Sequence, residues 1–170
     1  MINNVSITPY RTDHREACAE LFLKVYSLPP FEFEWLDHNK ALSYFTDLEN
    51  NTHALNYVLT DDAAVIGVCM GQKEENFQNP SYKINEFFIA PEYQHNGLGS
   101  FFLGELNSML RELGLKAIYL FTQRRMPSYD FYRKNSFIPN EETVHMARMI
   151  RQEPTVLYAR TFIGAEDHQN

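Results

Sequence analysis

PEYQHNGLGSFFLGELNSML, residues Pro91–Leu110, sets Asn96-Gly97, Leu98-Gly99 and Gly104 against a pattern that reads as a helix. Leu98, Phe101, Phe102, Leu106, Met109, Leu110 and Leu113 recur at helical intervals, the spacing that buries one face of a helix. Gly114 follows where a C-terminal cap belongs. An interior glycine costs a helix about 1 kcal/mol relative to alanine, so glycines this close to its start require compensation. A strand closed by Pro91, a glycine turn and a helix start without bulky side chains gather unpaired backbone N–H groups at one point. The helix dipole adds partial positive charge there, and Gly97 and Gly99 let the backbone approach a phosphate. The predicted compensation is a dianionic ligand.

Other glycine motifs fit less well. A P-loop needs Gly-Lys-Ser/Thr at the helix start, whereas Ser100 and Phe101 follow Gly99. A dinucleotide fingerprint needs a third glycine where Phe102 stands. An Asn-Gly hairpin needs alternating strands on both sides, and here the downstream side is helical. An ordinary strand-to-helix turn remains the alternative reading of the turn alone.

Working outward, ALNYVLT (54–60), AAVIGVCMGQ (63–72) and YKINEFFIA (82–90) read as three strands of an antiparallel meander, the first two joined at Asp61-Asp62. Val5 and Ile7 begin a short strand, and Asp13-x-x-Glu16 is a capping signature. The helix it starts carries Ala17, Cys18, Leu21, Phe22 and Val25 and is stopped by Pro29-Pro30. A second helix over 39–50 shows Leu42, Phe45 and Leu48 on one side. Downstream, KAIYLFT (116–122) is a strand, Pro127 opens a short aromatic-rich helix, and ETVHMARMI (142–150) and TVLYARTF (155–162) are β-like runs. Residues 1–165 are expected to form a single domain, with a polar tail over 166–170.

A chain of 170 residues, 44% hydrophobic and 14% aromatic, buries one substantial core. Its net charge of −7 disfavours nucleic acid and favours a cationic small molecule or basic peptide. Cys18 and Cys69 fall in a helix and a strand, where buried reduced thiols are expected. His38, His53 and His145 show no metal-ligand spacing, and no metal is expected. The N-terminus has no basic-then-apolar signal and no apolar run reaches about 18 residues, so no membrane partner is expected and the predicted compartment is the cytoplasm.

Gln94-His95-Asn96-Gly97-Leu98-Gly99 resembles the Q/R-x-x-G-x-G/A signature of the GNAT superfamily, the acyl-CoA-dependent N-acetyltransferases. NEFFIAPEYQHNGLG resembles the family's strand, Pro-x-Tyr and glycine-loop sequence, and SYDFYRKNSF its second cofactor motif, which usually ends Phe-Tyr-x-x-x-Gly-Phe. With the order of elements between them, the likeness extends from about Val5 to Ile150. It implies an α/β (α+β) fold with a mixed, mostly antiparallel sheet of about six to seven strands flanked by about four helices.

The resemblance also implies roles. The amides of Gln94, His95, Asn96, Gly97, Leu98, Gly99 and Ser100 would bind the diphosphate of acetyl-CoA. Backbone groups of Phe88, Ile89 and Ala90 would pair with its pantetheine arm as an added strand would. Acetyl transfer needs a neutral amine, a polarised thioester and a stabilised thiolate. Glu86, with Ile84 and Phe88 on its face, is the predicted base, its carboxyl raised by apolar flanks. Tyr132 matches the family tyrosine near the coenzyme sulfur. A backbone N–H around Phe88 would hold the oxyanion. Two positions depart from the family pattern: Arg125 stands where Asn is common, beside the coenzyme's middle, and Ser136 replaces the usual Gly. The acceptor would approach from the side of the first two helices, where SLPPFEFEWLDH offers Phe31, Glu34 and Trp35, aromatic and acidic groups suited to a cationic amine. The predicted activity is acetyl transfer from acetyl-CoA to a primary amine of a small molecule or peptide; the alternative is a non-catalytic acyl-CoA-binding module. Family members are often dimers, and TVLYARTF is a candidate interface strand for a homodimer.

Overall fold

The computed structural model describes residues 4–33, 37–75 and 79–148. The chain divides into two compact units, Met1–Phe137 and Ile138–Asn170, and the described strands and helices all belong to the first. In order they are β1 (Val5–Pro9), α1 (Arg15–Tyr26), α2 (His38–Glu49), β2 (Tyr57–Asp61), β3 (Ala64–Glu74), β4 (Ser81–Ile89), α3 (Leu98–Glu112), β5 (Ala117–Tyr119) and α4 (Pro127–Lys134). The five strands form one sheet in the order β1-β2-β3-β4-β5. Each pair is antiparallel except β4 and β5, which run parallel because α3 crosses between them. This is the expected mixed α/β class, with four helices on a largely antiparallel sheet.

Each face of the sheet carries a helix pair. Phe22 of α1 meets Phe45 of α2 and Phe88 of β4 at ring separations of 5.6 and 5.7 Å. On the other face, Phe87 meets Phe102 of α3 at 5.3 Å and Phe131 of α4 at 5.9 Å. Adjacent phenylalanines on β4 thus anchor opposite faces, as the two-residue strand period requires. Cys18 and Cys69 are free and buried, and burial pushes each thiol up to about 12. They are protonated, unreactive core groups.

The helix ends show where local patterns misled. Asp13 does not cap α1; it lies in a 3-10 turn over Thr12–His14, its carboxylate taken by the Arg11 guanidinium. The helix cap that counts is Asp37, whose side chain accepts from the Lys40 N–H at 2.9 Å and starts α2. α3 ends as Gly114 predicts: the Gly114 N–H donates to Arg111 O and the Leu115 N–H to Leu110 O, at 3.0 and 3.1 Å. α4 ends in the same way with Ser136 at φ 67°, a left-handed position that explains the family's usual glycine. Gly104 is exposed within α3, and a Cβ there would meet nothing within 4 Å. Gly104→Ala is therefore expected to stabilise the protein by about 1 kcal/mol, read from urea denaturation midpoints.

The expected sixth and seventh strands are not found among the described residues. Residues 142–148, the start of one β-like run, carry no strand. An alternating pattern alone does not make a strand. Residues 149–150 and the run 155–162 lie outside the described residues.

Candidate active site

A β-bulge shapes the site. Glu86 pairs with Met70 and Ile84 with Gly71, which leaves Asn85 as an extra residue in β4. Gly71 makes room for this: a Cβ there would stand 2.3 Å from the Tyr82 ring and 2.6 Å from the Lys83 carbonyl. Bulges bend a strand and re-aim its side chains. Here Glu86 reaches the α1–α2 side, where each carboxylate oxygen accepts from a different helix. The Tyr26 hydroxyl donates to Oε2 at 2.7 Å and the Tyr44 hydroxyl to Oε1 at 2.6 Å. Among the described residues, no lysine or arginine acts on Glu86. The residue keeps part of its surface accessible.

Burial raises the Glu86 carboxyl above the ordinary carboxylate range, and the Tyr44 and Tyr26 hydroxyls draw it partly back. Both tyrosines hydrogen-bond to the ionised form. Tyr26→Phe and Tyr44→Phe are each expected to move the Glu86 titration further upward, followed by carbon-13 NMR of its carboxyl carbon. Loss of both hydroxyls should move it more than either alone.

Next to Glu86 the sheet opens. Among the described residues, β5 pairs with β4 only over Ser81–Lys83 and no other strand pairs with the far edge of β4 from Ile84 to Ile89. The Ala90 N–H donates to Ile66 O at 2.8 Å. Alternation along the antiparallel ladder then turns the main-chain groups of Phe88 toward β3 and those of Phe87 and Ile89 toward the open side. Gln94 Nε2 donates to the Ile89 carbonyl at 2.9 Å, and the Tyr93 N–H to the Ala90 carbonyl at 2.8 Å. Of the row Phe88, Ile89 and Ala90, only Ile89 therefore faces the gap, joined by Phe87.

Tyr132 of α4 packs beneath this gap. Its ring lies 6.4 Å from Phe87 and 5.2 Å from both Phe131 and Phe137, and the residue is 8% exposed. Burial raises the hydroxyl's pKa, and the nearby Glu86 carboxylate adds to the rise. Tyr132 in turn acts electrostatically on Tyr26. The fold thus brings the two sequence-predicted catalytic side chains within electrostatic reach of each other.

The glycine turn lies beyond the end of β4. Pro91–Tyr93 form a 3-10 turn, and His95 and Gly97 adopt φ of 61° and 79°. The first α3 amide with a helical acceptor is Phe101, whose N–H donates to Gly97 O at 2.9 Å. The N–H groups of Leu98, Gly99 and Ser100 precede it, and Gly97 offers them no side-chain cap. The two glycines differ in purpose. A Cβ at Gly97 would stand in open space on a left-handed backbone, whereas at Gly99 it would press on the Phe131 ring at 3.1 Å. Gly97 makes the turn, and Gly99 admits α4.

An open edge on the fourth strand, leading to uncapped amides at a glycine turn, is the arrangement the sequence motifs implied. Residues 20–137 match the Acetyltransferase (GNAT) family. The chain belongs to the GNAT family. The uncharacterized N-acetyltransferase CgeE of Bacillus subtilis (strain 168) is 30% identical over 86 residues, 51% of this chain and 33% of that protein. The chain thus spans about a third of the length of the curated relative it matches. Among solved structures, a possible acetyltransferase from Clostridium difficile 630 superposes with a TM-score of 0.74 at 13% identity, over 86% of this chain and 99% of that one. AAC(6')-Iy, in complex with the bisubstrate analog CoA-S-monomethyl-acetylneamine, superposes at 0.66 and 14% identity, over 86% and 99%. These likenesses share the GNAT fold.

In this GNAT chain, two aromatic residues of the predicted acceptor stretch lie beside Tyr26. Phe31 and Phe33 pack on Tyr26 with ring separations of 4.6 and 5.6 Å. Glu34 and Trp35 lie outside the described residues. Arg125 is exposed in the turn before α4. Neither Tyr26 nor Tyr44 is singled out by sequence pattern, because each reads as one more aromatic on a helix; they meet Glu86 across 60 and 42 residues. Gly71 was the legible signal for the bulge, since a glycine inside a strand marks close backbone approach. No helix among the described residues is long and apolar enough to cross a membrane.

Proposed function

We propose that this chain moves an acetyl group from acetyl-CoA to a primary amine by direct attack in a ternary complex. The observation that supports it most is the Glu86 carboxylate: partly accessible, held by two phenols, lacking a cation, and set beside the open edge of β4. Acetyl-CoA would supply the thioester. Its diphosphate suits the amides of residues 94–100, with Arg125 near its middle, and its pantetheine amides suit the main-chain groups that Phe87 and Ile89 turn to the gap.

The residues divide the proton work. Glu86 takes the proton that the ammonium must lose before its nitrogen attacks the thioester carbon, directly or through water. The C–N bond forms as the C–S bond breaks, and the main-chain N–H groups on the open edge hold the carbonyl oxygen as it gains charge. Tyr132 faces the departing sulfur with its proton in place. A thiol's ordinary pKa is about 8.5 and a phenol's about 10, and burial raises Tyr132 further, so full transfer from Tyr132 is uphill. Its role is to hydrogen-bond the thiolate, while the second proton, shed by the nitrogen as the amide forms, passes through solvent to the sulfur.

The test is thiol release from acetyl-CoA across amines, polyamines, aminoglycosides and peptide N-termini, alongside calorimetry of coenzyme A. Release with at least one amine, abolished in Tyr132→Phe without loss of coenzyme binding, supports the enzyme reading. Coenzyme binding with no release from any amine supports a non-catalytic acyl-CoA-binding module instead.

A further inference from the structure

Among the described residues, no lysine or arginine supplies a counterion to the buried Glu86 carboxyl. Its phenol partners satisfy hydrogen bonds but bring no positive charge, and burying an ionised carboxylate without a counterion is costly. A cation entering from solvent would complete the site. The chemistry around the entrance says what that cation carries.

Tyr26, Tyr44, Phe31 and Phe33 each retain accessible surface, while Phe22 and Phe88 beneath them are buried. Tyr26 links them all: its hydroxyl holds Glu86, and its ring touches Phe22 at 4.3 Å, Phe31 at 4.6 Å and Phe33 at 5.6 Å, the last nearly parallel. Aromatic faces attract an ammonium and the polarised CH₂ beside it, and they shed water from hydrocarbon. Further along the sheet, a group of polar side chains is engaged with one another. Gln72 Oε1 accepts from Asn51 at 2.8 Å and Asn85 at 3.4 Å, Gln72 Nε2 donates to Glu74 at 3.2 Å, and Tyr119 donates to Glu74. Hydroxyls or further ammonium groups of an acceptor that extended along the sheet would have to break that network.

We infer that the acceptor is a primary monoamine whose amino group sits on an alkyl or aryl hydrocarbon, bound with its nitrogen at Glu86 and its chain against Tyr26, Phe31 and Phe33. This rests on the acetyltransferase reading and narrows it; aminosugars and polyamines are the excluded classes.

Initial rates of thiol release with acetyl-CoA and 2-phenylethylamine, hexylamine, spermidine or kanamycin decide the matter. The first two are expected to exceed the last two in kcat/KM by about tenfold or more, the scale of one good ring contact. Phe33→Ala should raise KM for 2-phenylethylamine several-fold, and Phe33→Leu, which keeps apolar bulk if the alanine variant does not fold, should raise it less. Equal or better kcat/KM with spermidine or kanamycin overturns the class while leaving acetyl transfer standing. A wild-type KM in either Phe33 variant also overturns it. Release with no amine at all removes both readings.

Discussion

Glu86→Gln is expected to lower kcat/KM at neutral pH by about 10²–10⁴-fold, the range over which positioned acid–base groups act. Glutamine keeps the shape and still offers an acceptor to one of the two tyrosines, so coenzyme A affinity should be unchanged by calorimetry. The stability effect has a defined sign. In the unfolded chain the carboxyl titrates near its ordinary value of about 4.3, while in the folded protein burial raises it. The native state therefore holds the proton more tightly. The stability this contributes is complete below the unfolded pKa and is lost as pH rises through the folded one. Glutamine does not titrate, so the variant should gain on the wild type in urea midpoint as pH rises through that window. A variant midpoint that falls relative to the wild type as pH rises would show that Glu86 is not desolvated in solution.

The second large effect is at the glycine turn. Gly97→Val places a β-branched residue at φ 79°, where an L residue pays about 1–2 kcal/mol and a β-branched one more. The added side chain meets no protein atom within 4 Å, so packing loss is not part of the cost. It projects instead beside the uncapped amides of Leu98, Gly99 and Ser100. Coenzyme A binding is expected to weaken at least tenfold by calorimetry, beyond what the change in thermal stability explains. Gly97→Asn, which tolerates the left-handed region, separates the two contributions: it should recover most of the stability and little of the binding. Recovery of both would mean that the turn needs its conformation and not its bareness.

The sequence made α3 legible because its apolar period and its Gly114 cap are local properties, and both stand in the structure. The meander of β2, β3 and β4 was legible for the same reason, through alternation and the turn at Asp62, φ 53°. Glu86 could be singled out because a carboxylate among Ile84, Phe87 and Phe88 conflicts with its strand's pattern. Its tyrosine partners could not, because a hydrogen bond between α1 and β4 leaves no periodic trace in either. Capping motifs show the limit of local reading: Asp13 has the right spacing, but Arg11 claims its carboxylate, and the quieter Asp37 starts a helix. Residues 142–148 show the complementary failure, since alternation predicts a strand only where a neighbouring strand exists to receive it.

The single extra residue at Asn85 makes the length of β4 part of its chemistry. Excising that residue would leave every pair as it is, Ile84 on Gly71 and Glu86 on Met70, and would remove only the bend. A residue lost on either side of it, by contrast, would slide that half one place and exchange its inward and outward side chains. Substitutions here can therefore be absorbed one at a time, whereas a one-codon insertion or deletion elsewhere in β4 has no small version. Related chains that vary freely in composition along this strand should still agree in how many residues they spend on it.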